Sequence, residues 1–431
     1  MSIVTAVRRG DWHTLFGYAF FVALLTGGYY YNVTFVQLGL LDLGTRLVGL
    51  SETAVSGWMA TLALVTLATA IAFGVLMDRR GWSSSLDAKL RILLGVVVAQ
   101  VLLTAAAPFV RTAPQFGAWI LLASVSMGVG FPATFALTID FVAVRDRGAV
   151  AAVATALTYF LANVYPLDWQ IGSFSRVVVA AMVPGVVLLG LLVFRPPSFL
   201  DGLARQHERF GVGRFCRDSP VSMREAAFLL PLVLMFGVFF VDSLGFLRIL
   251  DTPSLVLASW QSPDFSMHLL LGVVHVVGAV MAGVLYTTFD RRVLFLATFG
   301  LFSFTHLLYT FDIRLLMWFP ALATGSSSPL NPAFYAVAVS FYTTLNFALW
   351  PDLSTPENIG THSAIGIGLA GFLSTFLSTA LALYFQSTSL SLLDHLNLVN
   401  ALALLLFVGL AVGIYAGQLH TLWEGRRGEP N

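Results

Sequence analysis

A chain of 431 residues that is 58% hydrophobic and only 10% charged lies outside the ordinary soluble class, in which roughly a quarter of residues carry charge. Mean hydropathy is +0.84; the formal net charge of +1 says nothing about acidic partners, and no basic cluster suits nucleic acid. Cys216 is the lone cysteine, so an intrachain disulfide is excluded.

A helix that crosses a bilayer needs about 20 mostly apolar residues. Twelve such runs follow one another, near 15–40, 54–77, 91–110, 116–141, 149–166, 174–194, 226–247, 266–287, 293–311, 328–350, 362–386 and 397–418. The first has no short apolar core followed by a small-residue cleavage site, so it reads as a retained helix. Residues 195–224, opening on Pro196-Pro197, form the one long polar interval. It separates a bundle over 1–194 from a second over 225–431 and reads as a linker. A surface helix over 198–210 would turn Arg205 and Arg209 toward lipid headgroups. Asn331-Pro332 predicts the start of the tenth span, with Asn as cap and Pro in the first turn. The apolar stretch Leu315 to Leu322 either extends the ninth span or lies along the interface.

Orientation follows from the cations. With the amino terminus inside, the inner segments hold eighteen Arg and Lys residues and the outer loops five, namely Arg46, Arg111, Arg176, Arg248 and Arg314. That bias places both termini in the cytoplasm of a multi-pass protein, expected in the plasma membrane.

The halves repeat at an offset of 212 residues. Phe135, Ala136, Leu137, Asp140, Gly148 and Ala152 recur as Phe347, Ala348, Leu349, Asp352, Gly360 and Ala364, and Asp78-Arg79-Arg80 recurs as Asp290-Arg291-Arg292. A duplicated helical bundle can rock one half against the other around a central site.

Span two ends in Gly74-Val75-Leu76-Met77-Asp78-Arg79-Arg80-Gly81, which resembles the G-x-L-x-D-R-x-G loop of the major facilitator superfamily. Asp140 with Arg147-Gly148 resembles the second loop motif of that family. Trp82 and Ser83 stand where the family usually has basic residues, and the second-half copy lacks the short Gly-to-Asp spacing. The resemblance implies an all-α membrane protein with two pseudo-twofold six-helix bundles. It also implies that Asp78 approaches the start of span eleven near Gly360, while Arg79 or Arg80 pairs with Asp140. The alternative role for Asp78, Arg79, Arg80, Asp290, Arg291, Arg292 and Asp352 is to fix topology and helix ends. Gly74 and Gly81 read as packing and turn positions. Ser124 occupies the place of an Arg common in proton-coupled members, and span five lacks the glycine-proline motif of drug antiporters, so a drug–proton antiporter is disfavoured.

In the family's fold, helices one, four, seven and ten face the central path. Tyr30, Thr34 and Gln37 recur at helical spacing in span one, and Tyr335, Tyr342 and Asn346 fall within a sector of about 60° in span ten. They line a cavity on one reading and make interhelical hydrogen bonds on the other. Asp242 lies inside span seven, and an acid at that depth is a functional candidate by default. It would hold a cationic group or a coupling proton, unless it forms an outer ion pair with Arg248 and Asp251. His268, His275 and His306 read as packing or hydrogen-bonding residues, with His275 also placed at the cavity.

The function expected is secondary or facilitated transport of a small solute, coupled to a proton, to another ion or to nothing, with a monomer as the working unit. A transporter-like sensor and a lipid-modifying membrane enzyme are the alternatives. No catalytic cluster, metal-ligand spacing, cofactor motif or nucleotide-binding loop is present.

Overall fold

The computed structural model describes residues 7–165, 167, 170–194, 221–250, 252–256, 259–289, 291–318, 329–388 and 390–427. Among them are twelve helices long and apolar enough to cross a membrane: Trp12–Leu47, Glu52–Arg79, Leu86–Phe109, Ala113–Phe141, Val144–Val164, Ile171–Phe194, Ala226–Phe246, Phe265–Thr288, Arg291–Leu315, Leu330–Asp352, Ile359–Ala382 and Leu392–Gly417. They are spans one to twelve below. An even number of spans puts both chain ends on one face, termed basal here; the other face is apical.

Local chemistry sets the helix ends. Ser51 and Ser85 cap spans two and three by accepting from the amides of Ala54 and Ala88 at 3.2 and 3.3 Å. Thr112 and Gln115 form a reciprocal capping box at span four. Between spans two and three the chain turns at Gly81, whose φ of +69° suits a residue without Cβ.

One open alternative is resolved at Leu315, and one boundary differs from the sequence reading. The ninth helix continues to Trp318, so Leu315 belongs to an extension of span nine. Span ten starts at Leu330 with Pro329 ahead of it, and Asn331 is not its cap. Already inside the first turn, Asn331 is drawn sideways, its amide donating to Asp312 Oδ2 of span nine at 2.5 Å. The surface helix expected over 198–210 and Cys216 lie outside the described residues.

Enclosure separates central from peripheral helices. Spans ten and four are 83% and 67% buried within the protein, whereas spans six and twelve are each 17% buried and face outward. Lipid tails are as apolar as leucine, so packing and small residues must draw membrane helices together. Span two crosses span eleven where Gly74 meets Gly360; a Cβ on Gly74 would sit 2.7 Å from the Ala364 Cβ. Span five crosses span eight where Gly148 meets Gly283; a Cβ on Gly283 would sit 2.7 Å from the Ala152 Cβ. These two crossings join the first six helices to the last six.

Candidate functional site: a basal seal and an aromatic centre

At the basal end, carboxylates reach across the halves. Asp78, at the end of span two, accepts from the backbone amides of Gly360 and Thr361 at 3.0 and 2.7 Å. It also accepts from Ser83 Oγ at 2.5 Å. These amides open span eleven, where unpaired N–H groups and the helix dipole favour an anion. Alongside, Ser84 Oγ donates to the Pro356 carbonyl at 3.1 Å.

The second link joins spans five, eight and ten. Arg147, 1% exposed, donates Nη1 to Asp352 Oδ1 at 2.8 Å and to the Pro351 carbonyl at 3.1 Å. Tyr286 donates its hydroxyl to Asp352 Oδ2. Gly148 makes room for this tyrosine: a Cβ there would lie 2.7 Å from Tyr286 Cδ1.

One expected pair is replaced. Asp140 is bound by Lys89, not by Arg79 or Arg80, which are exposed on the basal surface. Lys89 is fully buried and also donates to the Ser83 carbonyl at 2.8 Å. Arg79 and Arg80 follow Asp78 at the end of a helix that points out of the bundle, whereas Lys89 lies in the first turn of span three and faces inward. The cue was in the sequence, since Lys89 is the only lysine of the chain. Arg291 and Arg292 open the ninth helix, half-buried and exposed respectively. Asp290 lies outside the described residues.

Midway through the bundle is a different chemistry. Asp242 accepts from Tyr335 through Oδ1 and from Tyr342 through Oδ2, the second at 2.5 Å. Both tyrosines are buried on span ten, and Asp242 itself stays half-buried. No ion pair reaches Asp242 among the described residues; Arg248 donates instead to the Leu390 carbonyl at 3.4 Å. Nearby rings complete the wall. Phe239 lies edge-on to Tyr342 at 4.8 Å, and Trp260 and Phe246 each lie 5.6 Å from Tyr335.

The first half contributes Tyr29 and Tyr159. The Tyr159 hydroxyl lies 3.1 Å from Tyr29 OH and 3.1 Å from Thr343 Oγ1 of span ten, so the three tie the halves together. Tyr159 also stacks on His275 at 4.5 Å and 10°, while His275 Nδ1 lies 2.9 Å from Ser340 Oγ. Tyr29 meets Phe347 edge-on at 5.0 Å.

The other stripe positions go elsewhere. Tyr30 donates to the Tyr165 carbonyl at 2.8 Å, Thr34 donates to its own helix at Tyr30, and Asn346 accepts from Trp350 Nε1 at 2.8 Å. The Gln37 side chain lies outside the described residues. Span one explains the shift: it is π-helical from Tyr31 to Leu38, so residue spacing there does not follow the 3.6-residue turn. Tyr29, just before the π segment, faces the centre in place of Tyr30. His268 bonds the Ser262 carbonyl at 2.8 Å and His306 the Phe302 carbonyl at 2.7 Å. No group of three His, Cys, Asp or Glu residues suited to a metal occurs among the described residues.

No family model matches the chain, and no curated protein matches it in sequence. Solved structures do match. One is described as the major facilitator superfamily proton:xylose symporter XylE bound to 6-bromo-6-deoxy-D-glucose. It aligns at a TM-score of 0.61 and 14% identity over 93% of this chain and 95% of that one. The human organic anion transporter MFSD10 (TETRAN) aligns at 0.59 and 15% identity over 93% and 99%. The chain has the major facilitator fold. In that fold the two glycine crossings form one repeated device. Gly148 and Gly360 are the positions that coincide at the 212-residue offset, and each receives a glycine from the other half. The multi-pass membrane character read from composition agrees with the same alignments.

Proposed function

We propose that this chain is a secondary transporter that moves a small solute by alternating access, held in this structure with its halves joined at the basal side. The observation that carries the reading is the contrast in how the halves meet. At the basal face they are locked by Asp78 on span eleven and by Arg147 on Asp352. In the centre they meet through hydroxyls and rings around Asp242, an acid without a countercharge among the described residues. A lock of a few polar contacts can open without unfolding either bundle, and a bistable pair of rigid bodies is what domain rocking needs.

The gating set is Gly74, Asp78, Arg147, Gly148, Asp352 and Gly360, with Asp140 held for it by Lys89. The solute set is Asp242, Tyr335, Tyr342 and His275, joined by Tyr29 and Tyr159. The cation distribution supports a basal face in the cytoplasm.

Counterflow in proteoliposomes tests the reading. Purified protein should exchange a solute against itself, and a screen of labelled metabolites identifies which. A sensor on the same scaffold would bind its ligand without exchange. That result sinks the transport reading.

A further inference from the structure

We infer that the solute site around Asp242 takes a small organic cation, a primary amine or quaternary ammonium. The inference rests on the transport reading for its setting and on the side chains of the centre for its chemistry. An acid inside a membrane span is retained when something pairs with it, and among the described residues no cation forms an ion pair with Asp242. Arg248, the nearest candidate in sequence, is turned to the Leu390 carbonyl. The two phenols that hold Asp242 each take one of its oxygens, Tyr335 at Oδ1 and Tyr342 at Oδ2, and Tyr335 also reaches the Asp242 carbonyl at 2.9 Å.

The surroundings of the two tyrosines are aromatic. Phe239 and Phe246 stand three residues before and four after Asp242, on the same face of span seven. Trp260 packs edge-on against Phe246 at 5.0 Å, and Tyr29 approaches from the other half. All four are half-buried, while Tyr335 and Tyr342 are buried. Ring faces attract cations, and tryptophan does so best. A carboxylate backed by hydroxyls and walled by rings therefore matches an ammonium group with an apolar body. An organic anion would meet the charge of Asp242 with nothing to offset it, and a neutral sugar would find few amide or charged partners.

The experiment compares choline with 3,3-dimethylbutan-1-ol, its uncharged isostere, and adds phenethylamine as a primary-amine probe. Binding to the full-length protein in lipid nanodiscs is read by isothermal titration. At least one ammonium probe should saturate the protein, and the alcohol should bind about tenfold more weakly or not at all. Asp242→Asn should weaken the ammonium probe by about ten- to thirtyfold, and Trp260→Leu by about threefold. Asp242→Glu, which keeps the charge, should retain part of the affinity if the asparagine variant fails to fold. The inference is overturned if neither ammonium binds, if the alcohol binds equally, or if Asp242→Asn binds as wild type does. Saturable ammonium binding without counterflow would leave the site standing and sink the transport reading. Counterflow of a neutral solute without ammonium binding would do the reverse.

Discussion

The two glycine crossings are built alike and locked differently. At spans two and eleven a carboxylate sits on the first amides of a helix, with no guanidinium involved. At spans five and eight the lock is an ion pair, Arg147 on Asp352, with Tyr286 donating to the same acid. The first draws on the fixed dipole of a helix end, which needs no partner side chain to be positioned. The second draws on a buried cation, which must keep its anion or leave a charge stranded. One repeat thus yields a soft lock and a hard lock, and the two should fail by different amounts.

The largest effect is expected at a buried pair that lies within one half. Lys89 is fully buried and Asp140 nearly so, both within the first half. Removing one partner of a buried pair costs about 3–5 kcal/mol. Lys89→Met should therefore lower the unfolding temperature markedly in a detergent thermal melt. Because the pair lies inside one half, Lys89→Met,Asp140→Leu should recover most of the loss. If the single variant melts with wild type, the pair does not hold span three to span four.

Next comes the hard lock. Arg147→Met strands Asp352, whose side chain is 20% exposed, so solvent lowers the penalty to about 2–3 kcal/mol. Since the pair spans the halves, the loss should appear as basal opening rather than unfolding. Spin labels at Arg80 and Glu357 in a Cys216→Ser background would report a longer distance. Asp352→Asn on top of Arg147→Met should shorten it again; an unchanged distance in both would show that the pair does not gate.

The crossings themselves rank third. An alanine Cβ at Gly360 would lie 2.8 Å from the Gly74 carbonyl oxygen, which is backbone and cannot swing aside. At Gly283 the nearest backbone atom, the Gly148 carbonyl oxygen, is 3.2 Å away, and the Ala152 methyl is 2.7 Å away. Overpacking of this kind costs about 1–3 kcal/mol. Gly360→Ala should reduce counterflow more than Gly283→Ala. Equal loss would mean that the crossings bear load equally.

Of the two crossings only the first was legible before the fold was known; the repeat marked Gly148 and Asp352 but gave no sign that Gly148 meets Gly283 or that Arg147 pairs with Asp352. Asp78 near Gly360 was placed by resemblance, and its two amide partners follow from where span eleven begins. The partner of Asp140 was not placed correctly. Adjacency to the motif favoured Arg79 and Arg80, and the single lysine passed unremarked. The centre was harder. Asp242, Tyr335, Tyr342 and His275 were singled out by polarity at depth. Tyr159 was missed because it lies on span five, outside the helices taken to face the path, and Tyr29 and Thr343 because they fall off the stripes chosen on spans one and ten. Tyr30 was preferred to Tyr29 because an α-helical period was applied to a segment that becomes π-helical one residue later.

The smallest predicted effect concerns the soft lock. Asp78→Asn keeps an acceptor oxygen for one amide of span eleven and removes only the charge. A carboxylate at a helix start contributes about 0.3–1 kcal/mol when exposed and up to ~2 when partly buried, and Asp78 is half-buried. A shift of one to two kcal/mol corresponds to roughly 5–30-fold in the ratio of closed to open states. The Arg80–Glu357 distance distribution should accordingly gain a minor long component, smaller than that of Arg147→Met. High salt discriminates further, because it screens exposed charges and leaves buried pairs largely untouched. Salt should narrow the difference between wild type and Asp78→Asn while leaving Arg147→Met unaltered. If Asp78→Asn opens the basal face as widely as Arg147→Met, the helix-end lock is as hard as the ion pair, and the distinction between the crossings falls.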